Sequence, residues 1–288
     1  MDDAAAHQRV DPAGPARLAR TVLAPNAGPM TLDGTNSYVL QAPGARSTVV
    51  VDPGPADPGH LERLAAAGPV ELVLITHHHA DHTEAIDAFA RMTGAPVRAI
   101  DPVFCRGAAP LADGERLVAA GIELTVIATP GHTADSVCFA LLGEDEGEGE
   151  RDGGSGERAA DAGAASPIAV LTGDTILGRG TTIIADPDGA LGPYLESLET
   201  LRALGAEQRV AVLPGHGPAL PDLAAICDAY LAHRAERLEQ MRGALARLGA
   251  EASVGEVTDL VYADTDASVR GAAEASVRAQ LRYLRGSA

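Results

Sequence analysis

Lysine and tryptophan are absent from all 288 residues, and both gaps narrow the problem before any motif is considered. Every one of the 22 basic residues is an arginine, set against 40 acidic ones, so the formal charge is −18 and the sequence pI about 4.8. Non-specific nucleic-acid affinity comes from neutralising phosphates with a cationic surface. This chain has no net positive charge to offer for that, which argues against duplex DNA as a partner and leaves only a local arginine-lined groove for a single strand. Aromatic residues make up 3%, so a core drawn from the 46% hydrophobic content is built mainly of Ala, Val, Leu and Ile. Cysteine is scarce and odd in number. Cys105, Cys138 and Cys227 are widely spaced, which argues against a disulfide framework, and isolated cysteines among apolar neighbours behave as small hydrophobes. No run reaches the length of a membrane span. The start, Met1-Asp2-Asp3-Ala4, has neither the basic nor the apolar region of a secretory signal. The expectation is a reduced, soluble, cytoplasmic protein with no membrane partner.

What is present is organised around one stretch. Val70 to Ile75 is an apolar run of buried-strand type, and it runs directly into Thr76-His77-His78-His79-Ala80-Asp81-His82. The pattern His-x-His-x-Asp-His offers His77, His79, Asp81 and His82 within six positions, with His78 as a spacer. Imidazole nitrogen and carboxylate oxygen are the donors that Zn²⁺ and other borderline divalent metals accept. A strand ending in such donors presents them together at the rim of a sheet, where α/β folds place their sites.

Three later strands end in the same way. Leu124–Ala128 leads to Gly131-His132, Ile168–Thr172 to Gly173-Asp174, and Arg209–Leu213 to Gly215-His216-Gly217-Pro218. Four successive strands thus finish in ligand-type residues, and the glycines beside the last three let the backbone turn tightly.

Around this frame the chain reads in order. Residues 1–18 are polar and expected to be flexible. A first strand at 20–24 is followed by a turn-rich loop at 26–35, then by strands at 36–40 and 47–51 in an antiparallel meander. Asp52 closes the meander, either as a turn residue or orienting a metal ligand. Helices are expected at 60–67, 83–92 and 193–204, a strand pair at 96–100 and 124–128, and a strand at 136–142. Residues 143–166 hold seven glycines and eight acidic residues against two arginines. They form an acidic insertion expected to be disordered within a domain spanning 19–220. From 221 to 288 the chain reads as a helical module, with helices at 223–242, 253–262 and 272–284; the first carries a stripe of Leu231, Arg234, Ala235, Leu238 and Met241.

Taken together and in this order, His77-x-His79-x-Asp81-His82, Gly131-His132, Gly173-Asp174 and Gly215-His216 resemble the metallo-β-lactamase superfamily over residues 20–220. The closer resemblance is to the metallo-β-lactamase-like protein 2 group. It is carried by Gly28-Pro29-Met30-Thr31-Leu32-x-Gly34-Thr35-Asn36-x-Tyr38, by Gly173-Asp174-x-Ile176-Leu177-Gly178-x-Gly180-Thr181-Thr182, by Pro214-Gly215-His216-Gly217-Pro218 and by Tyr230-x-x-His233-Arg234. The resemblance implies an α/β fold, the four-layer αββα sandwich, with a small winged-helix-like C-terminal module. It also implies two metals: His77, His79 and His132 on one, Asp81, His82 and His216 on the other, Asp174 bridging. Two Zn²⁺ are expected, with iron or manganese as alternatives. The acidic insertion is extra to the family pattern, and the C-terminal module is expected to stop short of the wing.

Two close cations lower the pKa of a shared water toward neutrality and stabilise the oxyanion formed when it attacks a carbonyl or phosphorus. The expected activity is hydrolysis, with Asp81 and Asp174 as the catalytic carboxylates. The group implies single-stranded RNA as substrate. A thioester, ester or lactone is the alternative that suits an acidic protein better, and a small-molecule substrate then replaces RNA. A mono-iron persulfide oxygenase and a silent metal-binding sensor fit the same ligands. Antibiotic hydrolysis is disfavoured by the lack of an export signal. Asn36, Arg179, His233 and Arg234 are the candidate substrate contacts, with Arg106 a further arginine of this kind. Oligomeric state is open, a homodimer being one option.

Overall fold

The computed structural model describes residues 17–143, 166–184, 186–263 and 270–286. Runs of β-branched and aliphatic residues form ten strands in two five-stranded sheets. In the first, β1 (Ala19–Leu23), β2 (Asn36–Leu40) and β3 (Thr48–Val51) pair antiparallel. β4 (Val70–Leu74) and β5 (Val97–Arg98) then add parallel to β3. Parallel neighbours need a crossover. It is supplied first by α1 (Pro58–Ala65), and then by α2 (Ala80–Thr83) with α3 (Ile86–Thr93). The second sheet comprises β6 (Arg116–Ala119), β7 (Ile122–Ala128), β8 (Val137–Gly143), β9 (Ser166–Gly173) and β10 (Ala211–Pro214). All pair antiparallel except β9 and β10, which α4 (Leu191–Leu204) connects in parallel.

Strand periodicity decides the layers. Leu40, Val49, Val51 and Leu74 of the first sheet pack against Leu124, Phe139, Leu141 and Leu171 of the second. Their alternates face outward, as the period of two requires. Val39, Val50 and Val73 meet Leu61, Leu64 and Phe89 of α1 and α3. Ala140, Val170 and Val212 meet Tyr194 and Leu198 of α4 and Cys227 and Tyr230 of α5 (Leu223–Leu248). The result is the expected αββα sandwich. Beyond it, α5 continues into α6 (Val254–Val261) and α7 (Arg270–Leu284). These three helices share a small core of Met241, Ala244, Val257, Val277 and Leu281. Among the described residues this C-terminal part carries helices and no strand. No helix among the described residues is long and apolar enough to cross a membrane.

Several expectations are corrected. Residues 96–100 and 124–128 do not pair: β5 belongs to the first sheet, and the hairpin partner of β7 is β6. β6 is a short edge strand whose alternate residues face solvent, Val118 being 75% exposed, so it carries little apolar signal. The helix expected at 83–92 is two helices, α2 ending at Thr83 and α3 starting at Ile86. The first C-terminal helix runs on to Leu248, and its buried stripe is Leu223, Cys227, Tyr230, Arg234, Leu238, Met241 and Ala244; Leu231 packs partly buried beside it, and Ala235 is exposed. The donor-bearing strands are not successive, because β4 stands in one sheet and β7, β9 and β10 in the other. The expectations for residues 1–16 and 144–165 lie outside the described residues. Gly143 and Ser166, the described residues flanking that stretch, face each other across the antiparallel β8–β9 pair.

Candidate metal centre

The two sheets are stitched together at the edge where the donors gather. Tyr38 Oη donates to Pro214 O (2.9 Å), and Asn36 spends its side-chain amide on Pro214 O (3.0 Å) and Gly217 O (2.8 Å). Asn36 N donates to Gly215 O, and Val137 N to Thr76 O. Two glycines permit this closeness. At Gly173 (φ +48°) a Cβ would lie 2.7 Å from Thr76 Cβ, and at Gly215 it would run into Asp174 Oδ1 and come within 3.0 Å of His82 Cε1. Side chains at either position would push the sheets apart.

Seven donors converge on this seam as two clusters: His77, His79, His132 and Asp174, and Asp81, His82 and His216. In the first, His79 Nδ1 lies 3.0 Å from His77 Nε2 and 3.2 Å from His132 Nε2. In the second, His216 Nε2 lies 3.4 Å from His82 Nε2 and 3.2 Å from Asp81 Oδ2. Asp174 reaches both, with Oδ2 3.2 Å from His216 Nε2 and 3.8 Å from His132 Nε2, and Oδ1 3.7 Å from His82 Nε2. Donors bound tetrahedrally to one ion at about 2.0–2.1 Å stand about 3.3–3.4 Å apart, which is close to this spacing. Asp174 Oδ1 is buried and has no hydrogen-bond partner. An unsatisfied buried carboxylate oxygen is costly, and a cation satisfies it. The residues present fit a pair of metal ions.

Partners behind the rings aim them. His82 Nδ1 faces Asp52 Oδ2 (2.8 Å), His132 Nδ1 faces Ile183 O (2.9 Å), His216 Nδ1 faces Gly34 O (3.1 Å) and His77 Nδ1 faces Thr76 Oγ1 (3.0 Å). An acceptor behind Nδ1 holds the proton there and leaves the Nε2 lone pair for the metal. Asp52 also accepts from Thr76 N (2.8 Å) and Thr76 Oγ1 (2.7 Å), and it holds a left-handed backbone (φ 52°) to do so. For a non-glycine residue that conformation costs about 1–3 kcal/mol and gathers at functional sites. Thr35 Oγ1 donates to Asp81 Oδ2 (2.9 Å). Of these partners the sequence pointed to Asp52. Thr35 had a signal in the Gly34-Thr35-Asn36 segment, whereas the carbonyls of Gly34 and Ile183 leave none.

The electrostatics divide along the clusters. Burial pushes His77 well below its ordinary range and His79 down to about 4, reinforced by neighbouring imidazoles. At His82 and His216 burial acts in the same direction but is overridden. Asp52 raises His82 well above the usual value, and hydrogen bonds to Asp174 and Asp81 bring His216 to about 9. Burial would raise Asp81 and Asp174, yet His216 and His82 hold both far below the carboxylate range. Two ionised carboxylates at one seam draw positive charge, as protons or as metal.

A cavity of about 150 Å³ opens onto His132 and Asp174. Pro29, Met30 and Leu32 line one side, and Leu177, Arg179 and Thr181 the other. Of the candidate substrate contacts only Arg179 lines it, and its guanidinium grips Asp33 in a two-pronged pair (2.7 and 2.9 Å). Asn36 is committed to carbonyls. Arg234 is buried on α5, His233 Nε2 stands 3.4 Å from Thr181 Oγ1, and Arg106 pairs with Asp87. His78, the spacer, faces Asp135 (2.8 Å) and Asp188 (3.6 Å).

Comparison with known proteins agrees with this geometry. Residues 30–145 match the metallo-β-lactamase superfamily model. The β-lactamase-like protein 2 homolog of Caenorhabditis elegans is 32% identical over 91% of this chain and 82% of its own. The lactamase-like protein vrtG of Penicillium aethiopicum is also 32% identical, over 78% of this chain, which spans 65% of the fungal protein's length. The crystal structure of a metallo-β-lactamase family protein from Thermus thermophilus superposes with a TM-score of 0.70 at 25% identity, covering 93% of each chain. With a relative this similar along most of both chains, the same sandwich and the gathered donor set, the chain belongs to the metallo-β-lactamase superfamily and is a metal-dependent hydrolase.

Proposed function

We propose that the protein uses two metal ions to hydrolyse phosphodiester bonds in single-stranded RNA. The observation that carries this reading is the pair of donor clusters with Asp174 in reach of both, the arrangement phosphodiester-cleaving two-metal sites use. Resemblance to the β-lactamase-like protein 2 group supplies the substrate class. His77, His79 and His132 would hold one ion and Asp81, His82 and His216 the other, with Asp174 between. Zinc is the proposed metal; iron and manganese accept the same imidazole and carboxylate donors. When bound, such ions lower the pKa of an attacking water and neutralise charge developing on the scissile group.

The chain's own residues set the stage for that chemistry. Asp52, Thr76, Gly34 O and Ile183 O fix the imidazoles so that no ring has to reorient during turnover. Thr35 Oγ1 holds Asp81 Oδ2, leaving that carboxylate one orientation. The cavity admits substrate over His132 and Asp174, between residues 29–32 and 177–183. Three free cysteines suit a reduced, cytoplasmic setting.

A second reading, hydrolysis of an ester, thioester or lactone, is favoured by the cavity wall. It is largely apolar, and its arginine is neutralised by Asp33. Cleavage of an end-labelled single-stranded RNA separates the two. Cutting by wild type that EDTA abolishes, and that Asp174→Ala lacks, supports the nuclease. Silence on RNA with turnover of ester or thioester substrates transfers the activity to the second reading.

A further inference from the structure

The buried face of α5 carries one charge. Arg234 is 5% exposed, and no carboxylate pairs with it among the described residues. One guanidinium nitrogen donates to Thr182 O, the group lies 5.2 Å from the centre of the Tyr194 ring, and Nε meets no acceptor. A buried cation with an unmatched donor is expensive, and an apolar residue of similar volume is often better for stability. Such a breach of local rules marks positions kept for function.

What Arg234 holds is the wall of the metal centre. Thr182 Oγ1 donates to Asp174 O (2.6 Å), and the next residue, Ile183, gives its carbonyl to His132 Nδ1 (2.9 Å). Tyr194, beneath the guanidinium, donates to Thr175 O (2.8 Å), directly after Asp174. One turn before Arg234 on α5, Tyr230 Oη accepts from Leu177 N (3.0 Å) and lies 3.1 Å from Gly180 O. Helix α5 therefore grips residues 177–182 at both ends; Thr182 holds the backbone of the donor shared by the clusters, and the adjoining Ile183 holds the ring that completes the first.

We propose that Arg234, assisted by Tyr230, is a positioning residue for the metal centre: through Thr182 and Ile183 it sets the Asp174 backbone and the His132 ring. The C-terminal helices then tune metal binding without touching metal or substrate. This rests on the two-metal reading above and is independent of the substrate. The test is Zn²⁺ affinity by chelator competition together with the visible spectrum of the Co²⁺-loaded protein. It compares wild type, Arg234→Gln, Arg234→Lys, Tyr230→Phe and Met241→Ala. Met241→Ala hollows the small core farther along α5 and reports loss of stability alone. Loss of groups behind metal ligands typically lowers affinity by about 10- to 100-fold. We expect that loss in Arg234→Gln with an altered Co²⁺ spectrum, recovery of most of it in Arg234→Lys, and a smaller loss in Tyr230→Phe. Met241→Ala should melt earlier with unchanged affinity and spectrum. Wild-type affinity and spectrum in Arg234→Gln overturn the proposal, as does an equal loss in Met241→Ala. Should Arg234→Gln not fold, wild-type affinity in Tyr230→Phe overturns it instead. A wild-type protein that takes up no Zn²⁺ overturns this and the two-metal reading together, whereas failure of the variants alone to differ overturns only this one.

Discussion

The two sheets furnish the centre in opposite ways. The first delivers four donors from one stretch after β4, backed by a single buried carboxylate, Asp52, in a strained backbone. The second delivers His132, Asp174 and His216 from three separate strand ends, and main-chain carbonyls at Ile183 and Gly34 aim its two rings. Each cluster draws on both sheets. Metal held there would also cross-link the halves of the sandwich, with donors from one continuous stretch on one side and from three separate strand ends on the other.

Breaking the shared donor has the largest effect. Asp174→Ala should lower hydrolysis by about 10³-fold, since metal stabilisation of the transition state is worth several kcal/mol; steady-state rates on any accepted substrate check this. Removing metal from wild type comes next. An ion present at 1,000 times its Kd adds about 4 kcal/mol to stability, so EDTA should lower the melting temperature clearly, and much less so in Asp174→Ala.

Two further substitutions sharpen the contrast. Asp52→Asn removes the charge behind His82 on the preorganised side and should weaken metal binding by about 10- to 100-fold while the fold persists. Asn36→Ala cuts the stitch to the second sheet. It should cost about 1–3 kcal/mol of stability by removing two hydrogen bonds and leaving Gly217 O without its side-chain donor, while Tyr38 still serves Pro214 O, with a smaller change in metal affinity. Chelator titration and urea unfolding of both variants separate the effects.

A further effect, confined to acid pH, concerns a histidine of the first sheet's side that is not a donor. His60 is buried with Nε2 2.8 Å from Ser37 Oγ, and burial, aided by Arg63, pushes it down to about 4. A folded pKa below the unfolded value of about 6.5 means the unfolded chain binds more protons between these limits. Its contribution is therefore complete above about pH 6.5 and lost as pH falls toward 4. The stability difference between wild type and His60→Gln should shrink over that window in unfolding curves.

The same contrast explains what the sequence made legible. The His-x-His-x-Asp-His stretch is local, so its chemistry shows without a fold, and the strand-end glycines flagged the three isolated donors. The strand partners did not show, because β6 is short, at an edge and half exposed, and nothing in it contrasts with a loop. Residue type and place in the chain suggest substrate contacts without showing where each side chain is spent. The structure uses Asn36 on carbonyls, Arg179 on Asp33 and Arg234 on Thr182. Whether a polar side chain is satisfied within the protein depends on neighbours far along the chain. The carbonyls that aim His132 and His216 have no side chain to betray them.

We propose a two-metal centre spanning the seam between the sheets. Its most direct test is the metal content of protein saturated with zinc and then desalted, measured by elemental analysis for wild type and Asp174→Ala. Two ions per wild-type chain and at most one in the variant are expected. One ion or none in wild type, or two retained without Asp174, contradicts it.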